Sequence, residues 1–206
     1  MTPPAAAPIE FWFDLSSPYA YFAALEIEAL GARRGRAVAW RPFLLGVSYQ
    51  TTGMKPLPDQ PMRGDYAARD WRRIARLRGV PFVLPSRFPM RTQGAARMVC
   101  AVEAADPRRA GALARRLFEA AFGAGAQIDE PEVAAALGAE IGLDAATLLA
   151  AASAPLWKDA LRARCAEAVA RGVFGAPFVL VDGEPFWGAD RLPMVELWLE
   201  RGGWTP

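Results

Sequence analysis

The run Ile9-Glu10-Phe11-Trp12-Phe13 constrains this chain more than any other stretch, because it reads as a strand that is apolar on both faces. Ile9, Phe11 and Phe13 alternate with Glu10, Trp12 and Asp14 at the strand period of two. A strand covered on both sides belongs in the middle of a sheet and not at its edge. Immediately afterwards Asp14-Leu15-Ser16-Ser17-Pro18-Tyr19 turns the chain into a helix. Ser17 supplies a capping hydroxyl, and Pro18 fills the first helical position, where its missing N–H would be orphaned anyway. The corner therefore gathers a hydroxyl and unpaired backbone N–H groups at one point, which favours a negative charge.

Composition narrows the classes of function. With 206 residues and just over half of them apolar, the chain suits one substantial domain or a domain with a large insertion. No run approaches the ~18 consecutive apolar residues of a membrane span. Residues 1–8, rich in Pro and Ala, lack the charged start and apolar core of a signal peptide and read as a flexible tail on a cytoplasmic protein. The absence of histidine removes the commonest general base, the Ser-His-Asp arrangement and most zinc sites, so no metal is expected. Cys100 and Cys165 lie far apart in Ala-rich segments, which fits a reducing compartment and gives no disulfide framework. A net charge of +2 does not announce a nucleic-acid binder. The arginines between Arg69 and Arg78, interleaved with Asp70, read as a solvated helix face.

Taken in order, residues 19–34 carry Phe22, Leu25, Ala29 and Leu30 near the helical period, with Gly35 as the stop. Residues 37–45 read as a second strand, parallel to the first through a right-handed crossover. From Gly46 to Pro61 the pattern dissolves into a long loop of the kind that covers binding sites. Residues 65–172 read as helices, with starts at Asp106-Pro107, at Asp129-Glu130-Pro131-Glu132 with a capping-box Glu, at Asp144 and at Ser153. Strand character returns at Pro177–Val181, turns at Asp182-Gly183 and resumes at Glu184–Trp187, a hairpin. Asp190 then caps a last helix with Val195, Leu197 and Trp198 inward. This order defines an α/β chain, a thioredoxin-like fold of residues 9–45 and 173–201 interrupted by a loop and a large all-helical insertion at 46–172. Thioredoxin-like oxidoreductases carry Cys-x-x-Cys at the first corner, where this chain has serines. A serine there points to a thiolate delivered by another molecule, and glutathione is the obvious carrier.

Phe13-Asp14-Leu15-Ser16-Ser17-Pro18-Tyr19-Ala20-Tyr21, the Gly79-Val80-Pro81-Phe82 turn, Gly172-Val173-Phe174-Gly175-Ala176-Pro177-Phe178 and Phe186-Trp187-Gly188-Ala189-Asp190-Arg191-Leu192 together resemble the 2-hydroxychromene-2-carboxylate isomerases. That family belongs to the DsbA-like branch of the thioredoxin superfamily and is related to kappa-class glutathione transferases. The resemblance spans Ile9 to about Leu199 and is most specific at its two ends. It implies that Ser17 donates a hydrogen bond to the glutathione thiolate, a role that adds to its plain reading as a helix cap. Ser16 is the weaker candidate because the family's serine directly precedes the proline. The resemblance also implies a cis peptide at Ala176-Pro177, with the Ala176 backbone pairing with the cysteinyl part of glutathione, and it places the gamma-glutamyl end at Asp190 and Arg191. Arg63 stands where the family often has a lysine shortly before the next helix, and it is counted among the glutathione-binding candidates. Met54 and Arg91 stand where it often has asparagines, so the glutathione site reads as kept and the substrate site as changed. Tyr19, Met54 and Arg91 are the substrate-side candidates.

The expectation is a glutathione-dependent isomerase of an unsaturated aromatic or keto acid, working as a homodimer. A kappa-class-like glutathione transferase and a non-catalytic glutathione-binding protein are the alternatives. Neither nucleic acid nor membrane is an expected partner.

Overall fold

The computed structural model describes residues 7–204. The expected tail falls mostly on residues 1–6, outside the described residues. Strand β1 (Ile9–Phe13) lies between β2 (Val38–Pro42), which runs parallel to it, and β3 (Phe178–Val181), which runs antiparallel; β4 (Glu184–Trp187) completes the order β2-β1-β3-β4. The central placement follows from side-chain alternation. Ile9, Phe11 and Phe13 enter the larger core, with Phe11 edge-on to Trp40 at 4.9 Å and Phe13 against Phe118 at 5.6 Å. Trp12 enters a second core on the opposite face, with Phe43, Leu161, Cys165 and Phe178. Pro185 sits in β4, an edge strand, where a missing N–H is tolerated. Asp182 and Gly183, both at positive φ, make the tight hairpin turn between β3 and β4.

The first helical stretch is two helices, α1 (Pro18–Ala24) and α2 (Ile27–Arg33). Continuation would give the Phe22 carbonyl to the Glu26 N–H. Arg78 takes that carbonyl at 2.9 Å and also pairs with the Glu26 carboxylate at 2.8 Å, while the Glu26 N–H turns to Ala23. Ala29 is exposed, off the buried face. The second strand ends at Pro42, earlier than its apolar pattern suggests, and the expected loop contains α3 (Leu45–Thr52) and a 3₁₀ turn at Leu57–Asp59. Only Ser48 of α3 is buried, so the helix carries no apolar stripe to betray it.

Between β2 and β3 run α4 (Arg63–Arg78), α5 (Gln93–Ala105), α6 (Pro107–Phe118) with a π-helical extension Glu119–Gly123, α7 (Pro131–Glu140), α8 (Ala145–Ser153) and α9 (Pro155–Ala170). They are not continuous: residues 79–92, carrying Pro81, Pro85 and Pro89, form an irregular stretch. It is tied down by Tyr21 Oη donating to the Pro81 carbonyl at 2.8 Å and by the Val83 N–H donating to Phe122 O at 2.7 Å. Asp106 and Asp144 cap α6 and α8 through their side chains. At α7 the expected capping box is absent, because Asp129 and Glu130 turn to Arg87. Ser153 ends α8 instead of starting α9, whose N-cap is Ala154.

The last helix, α10 (Leu192–Arg201), follows a 3₁₀ turn at Ala189–Arg191 that contains Asp190. Asp190 pairs with Arg191 at 2.7 Å and caps nothing. Val195 is buried and Trp198 half-buried, but Leu197 is 40% exposed, since two residues from Val195 turns it off the inward face.

Helix α6 meets β2 at Gly111, where an added Cβ would lie 2.5 Å from Trp40 Nε1 and 2.8 Å from its Cδ1. Trp40 is buried and its indole N–H is held by Glu28, so it has little room to retreat. Gly111→Ala is expected to cost about 1–3 kcal/mol from overpacking and to lower the melting temperature by several degrees in thermal unfolding followed by circular dichroism.

Candidate functional site

Ser17 is the N-cap of α1. Its backbone is extended (φ −103, ψ 112), and its oxygen accepts the Ala20 N–H at 3.2 Å. Its own proton goes to the Ala176 carbonyl at 3.0 Å, so the hydroxyl joins the first corner to the loop before β3 across most of the sequence. The Ala176–Pro177 peptide is cis, as is Phe88–Pro89, which the sequence did not point to. Because α1 is only seven residues long, the hydroxyl and not a helix dipole is the main feature of this corner.

Ser17, Ala176 and Pro177 line a cavity of about 1230 Å³. Tyr19, Met54 and Arg91 line it too, as do Arg63, Asp190 and Arg191, so every candidate residue faces one space. Ser16 also lines it, but its hydroxyl oxygen is occupied by the Met90 N–H at 2.9 Å. No cysteine is among the lining residues. Burial pushes the Cys100 thiol up to about 11 and also raises that of Cys165, and both are free and buried. Among the described residues no group of three or more His, Cys, Asp or Glu could hold a metal ion, and no helix is long and apolar enough to cross a membrane.

The charged groups divide into paired and unpaired. Asp190 neutralises Arg191, and Asp70 pairs with Arg73 at 3.0 Å while accepting the Tyr19 hydroxyl at 3.0 Å. Burial, then the Asp70 hydrogen bond and charge, raise the Tyr19 phenol above its ordinary value, so it stays protonated at neutral pH. Among the described residues the Arg63 side chain meets only the Gln60 amide oxygen, at 2.7 Å. Among the described residues neither Arg63, Arg91 nor Lys55 has a carboxylate within ion-pair distance, which leaves the cavity net basic. Tyr19, Trp71 and Phe88 add an aromatic wall, with Trp71 edge-on to both others.

Sequence reasoning missed the group that assembles this site. Asp14 is 6% exposed; its Oδ1 accepts from Ser16 N at 2.8 Å and from Thr92 Oγ1 at 3.1 Å, and its Oδ2 accepts from Leu45 N at 2.8 Å. One carboxylate thus holds the Ser17 turn, the start of α3 and the start of α5 together. Strand alternation placed Asp14 beside the apolar face, but nothing local announces Thr92, which is also buried.

The profile of the DSBA-like thioredoxin domain family matches residues 8–200, and the chain belongs to that family. It has the DsbA-like thioredoxin fold, with a four-stranded mixed sheet and an array of helices. Over 197 residues, covering 93% of this chain and 97% of its relative, it is 27% identical to a 2-hydroxychromene-2-carboxylate isomerase of Sphingobium xenophagum. It is 28% identical over 200 residues to glutathione S-transferase kappa 2 of Caenorhabditis elegans, covering 91% of this chain and 89% of that one. A solved structure of 2-hydroxychromene-2-carboxylate isomerase superposes with a TM-score of 0.86 at 25% identity, covering 94% of each chain.

The Asp14 carboxyl is raised above its ordinary value because burial outweighs the three bonds that favour its charge. A group whose folded value is raised adds stability that is complete below its unfolded value of 3.8 and is lost as pH rises through the folded value. Urea unfolding across that acidic window is expected to show this loss in the parent protein and to lack it in Asp14→Asn.

Proposed function

We propose that the protein is a glutathione-dependent isomerase of an unsaturated aromatic or keto acid. One observation carries the reading: a buried serine stands at the corner where thioredoxin-like oxidoreductases keep a cysteine, and it faces a basic cavity that no cysteine lines. The sulfur must then come with a ligand, and relatives named as an isomerase and as a kappa-class glutathione transferase support glutathione as that ligand.

In this reading the Ala176 backbone pairs with the cysteinyl unit, a mode that needs no side chain. Pro177 shapes that loop, Asp190 meets the gamma-glutamyl ammonium with Arg191 beside it, and Arg63 meets a carboxylate. Tyr19 and Met54 line the substrate side, where Arg91 takes the acid group. The thiolate adds to a conjugated carbon, so that a C–S bond forms while the double bond becomes single and its electrons move onto the conjugated carbonyl. Rotation follows. The electrons then return, the C–S bond breaks, and unchanged glutathione leaves. Ser17 stabilises the thiolate by donating its hydrogen bond. The scheme needs no histidine. A cytoplasmic setting suits the two buried free thiols, and a homodimer is part of the same proposal.

Kappa-class transfer is the second reading, favoured by the 28% identical transferase relative. Here the thiol adduct is itself the product. Incubation with an aromatic hydroxychromene carboxylate separates the two. The isomerase reading expects conversion that requires glutathione yet leaves its concentration unchanged; stoichiometric consumption of glutathione would establish the transferase instead. Binding of glutathione without either outcome on this substrate would favour a binding protein.

Ser17→Ala tests the mechanism. A hydrogen bond to a charged group is worth about 1.5–3 kcal/mol, so the acid ionisation constant of bound glutathione, read from a pH titration of the complex, should fall about tenfold to a hundredfold. Turnover should fall with it. Ultraviolet absorbance of the thiolate reads the first and product formation the second; parent-like values for both would remove the role given to this hydroxyl.

A further inference from the structure

Strand β3 runs out at the cavity with its pairing half complete. Phe178 is paired with Trp12 in β1 and with Trp187 in β4, and the Pro177 carbonyl accepts the Gly188 N–H at 3.0 Å. At Ala176 the pattern breaks off. Its N–H has no protein acceptor among the described residues, and its carbonyl is met by the Ser17 hydroxyl instead of a neighbouring strand. Ala176 therefore offers the cavity a short strand edge of the kind to which an extended peptide adds through its own N–H and C=O groups.

Ser17 has one proton to give. Its oxygen already accepts the Ala20 N–H, and the residue is only 5% exposed. While that proton rests on the Ala176 carbonyl it cannot stabilise a sulfur. We propose that Ser17 and the Ala176 carbonyl form a relay: the amide N–H of a peptide-borne thiol takes over the carbonyl, and the Ser17 proton turns to the sulfur. The relay rests on the glutathione reading above and says how that site chooses its thiol. No covalent bond changes; only the hydroxyl hydrogen reorients.

The exchange is balanced for a cysteinyl peptide and unbalanced for other thiols. With a ligand N–H on it, the Ala176 carbonyl keeps a donor while Ser17 gains a bond to a charged acceptor, which is stronger than one to a neutral carbonyl. A thiol without that N–H forces a choice. Either Ser17 stays on Ala176 and the sulfur goes unassisted, or Ser17 turns and the carbonyl loses its protein donor. The site thus ionises N-acylated cysteinyl thiols in preference to simple ones, and it does so through backbone groups that carry no sequence signature.

The test compares glutathione with its depsipeptide, in which the cysteinyl N–H is replaced by oxygen, and with mercaptopropionylglycine; both keep the sulfur and lose the N–H. At saturating concentrations, the rise in ionisation constant on binding, each thiol measured against its own free value, should be about tenfold larger for glutathione than for either analogue, the size of one lost hydrogen bond. In Ser17→Ala the difference should vanish. An analogue whose ionisation constant rises on binding as much as that of glutathione, or a difference that persists in Ser17→Ala, overturns the relay and leaves the glutathione reading standing. Failure of the parent protein to bind glutathione at all would instead remove the reading beneath it.

Discussion

The Asp14 carboxylate is the interaction on which the rest of the site depends. It sits at the end of the central strand, almost wholly buried, and takes hydrogen bonds from three segments far apart in sequence. Without it the Ser17 turn, the start of α3 and the start of α5 would have no common anchor. Ser16 reinforces the same junction by accepting the Met90 N–H. Burying a carboxylate is unfavourable, as its raised proton affinity records, and the three donors offset only part of that cost. The return is positional: the walls of the cavity are fixed relative to one hydroxyl.

Around that anchor the chain keeps its own thiols out of the cavity. Cys100 and Cys165 are held buried, with thiols raised by desolvation, and neither lines the cavity. The cavity instead offers a hydroxyl, a strand edge at Ala176 and arginines among its lining residues. Such a surface suits an incoming thiol with carboxylates and an apolar or aromatic second ligand. Basic groups without carboxylate partners favour both the thiolate and the acid it would act on. A fold whose relatives include oxidoreductases thereby becomes, in our proposal, a site for reversible addition.

Local physics made the frame legible and long-range contacts hid the remainder. Both-sided apolarity placed Ile9–Phe13 at the sheet centre, Ser17-Pro18 gave the corner, and Asp182-Gly183 gave the hairpin, because each signal lies within a few residues. Asp106 and Asp144 were readable caps for the same reason. Helix α3 was not readable, since it buries only Ser48 and is held by a bond from that side chain to the Val173 carbonyl. The break between α1 and α2 depends on Arg78, and the anchoring role of Asp14 on Thr92, partners dozens of residues away. The candidate residues of the site could be named from motifs, and the cavity they share is visible in three dimensions. What motifs could not give was the direction of the Ser17 proton, which is set by a carbonyl 159 positions along the chain.

The central claim is that a borrowed sulfur works at Ser17. A crystal structure with glutathione tests it most directly. The account predicts the sulfur within hydrogen-bonding distance of Ser17 Oγ and the cysteinyl N–H on the Ala176 carbonyl. A sulfur lying elsewhere in the cavity, with Ser17 still bonded to Ala176, would contradict it.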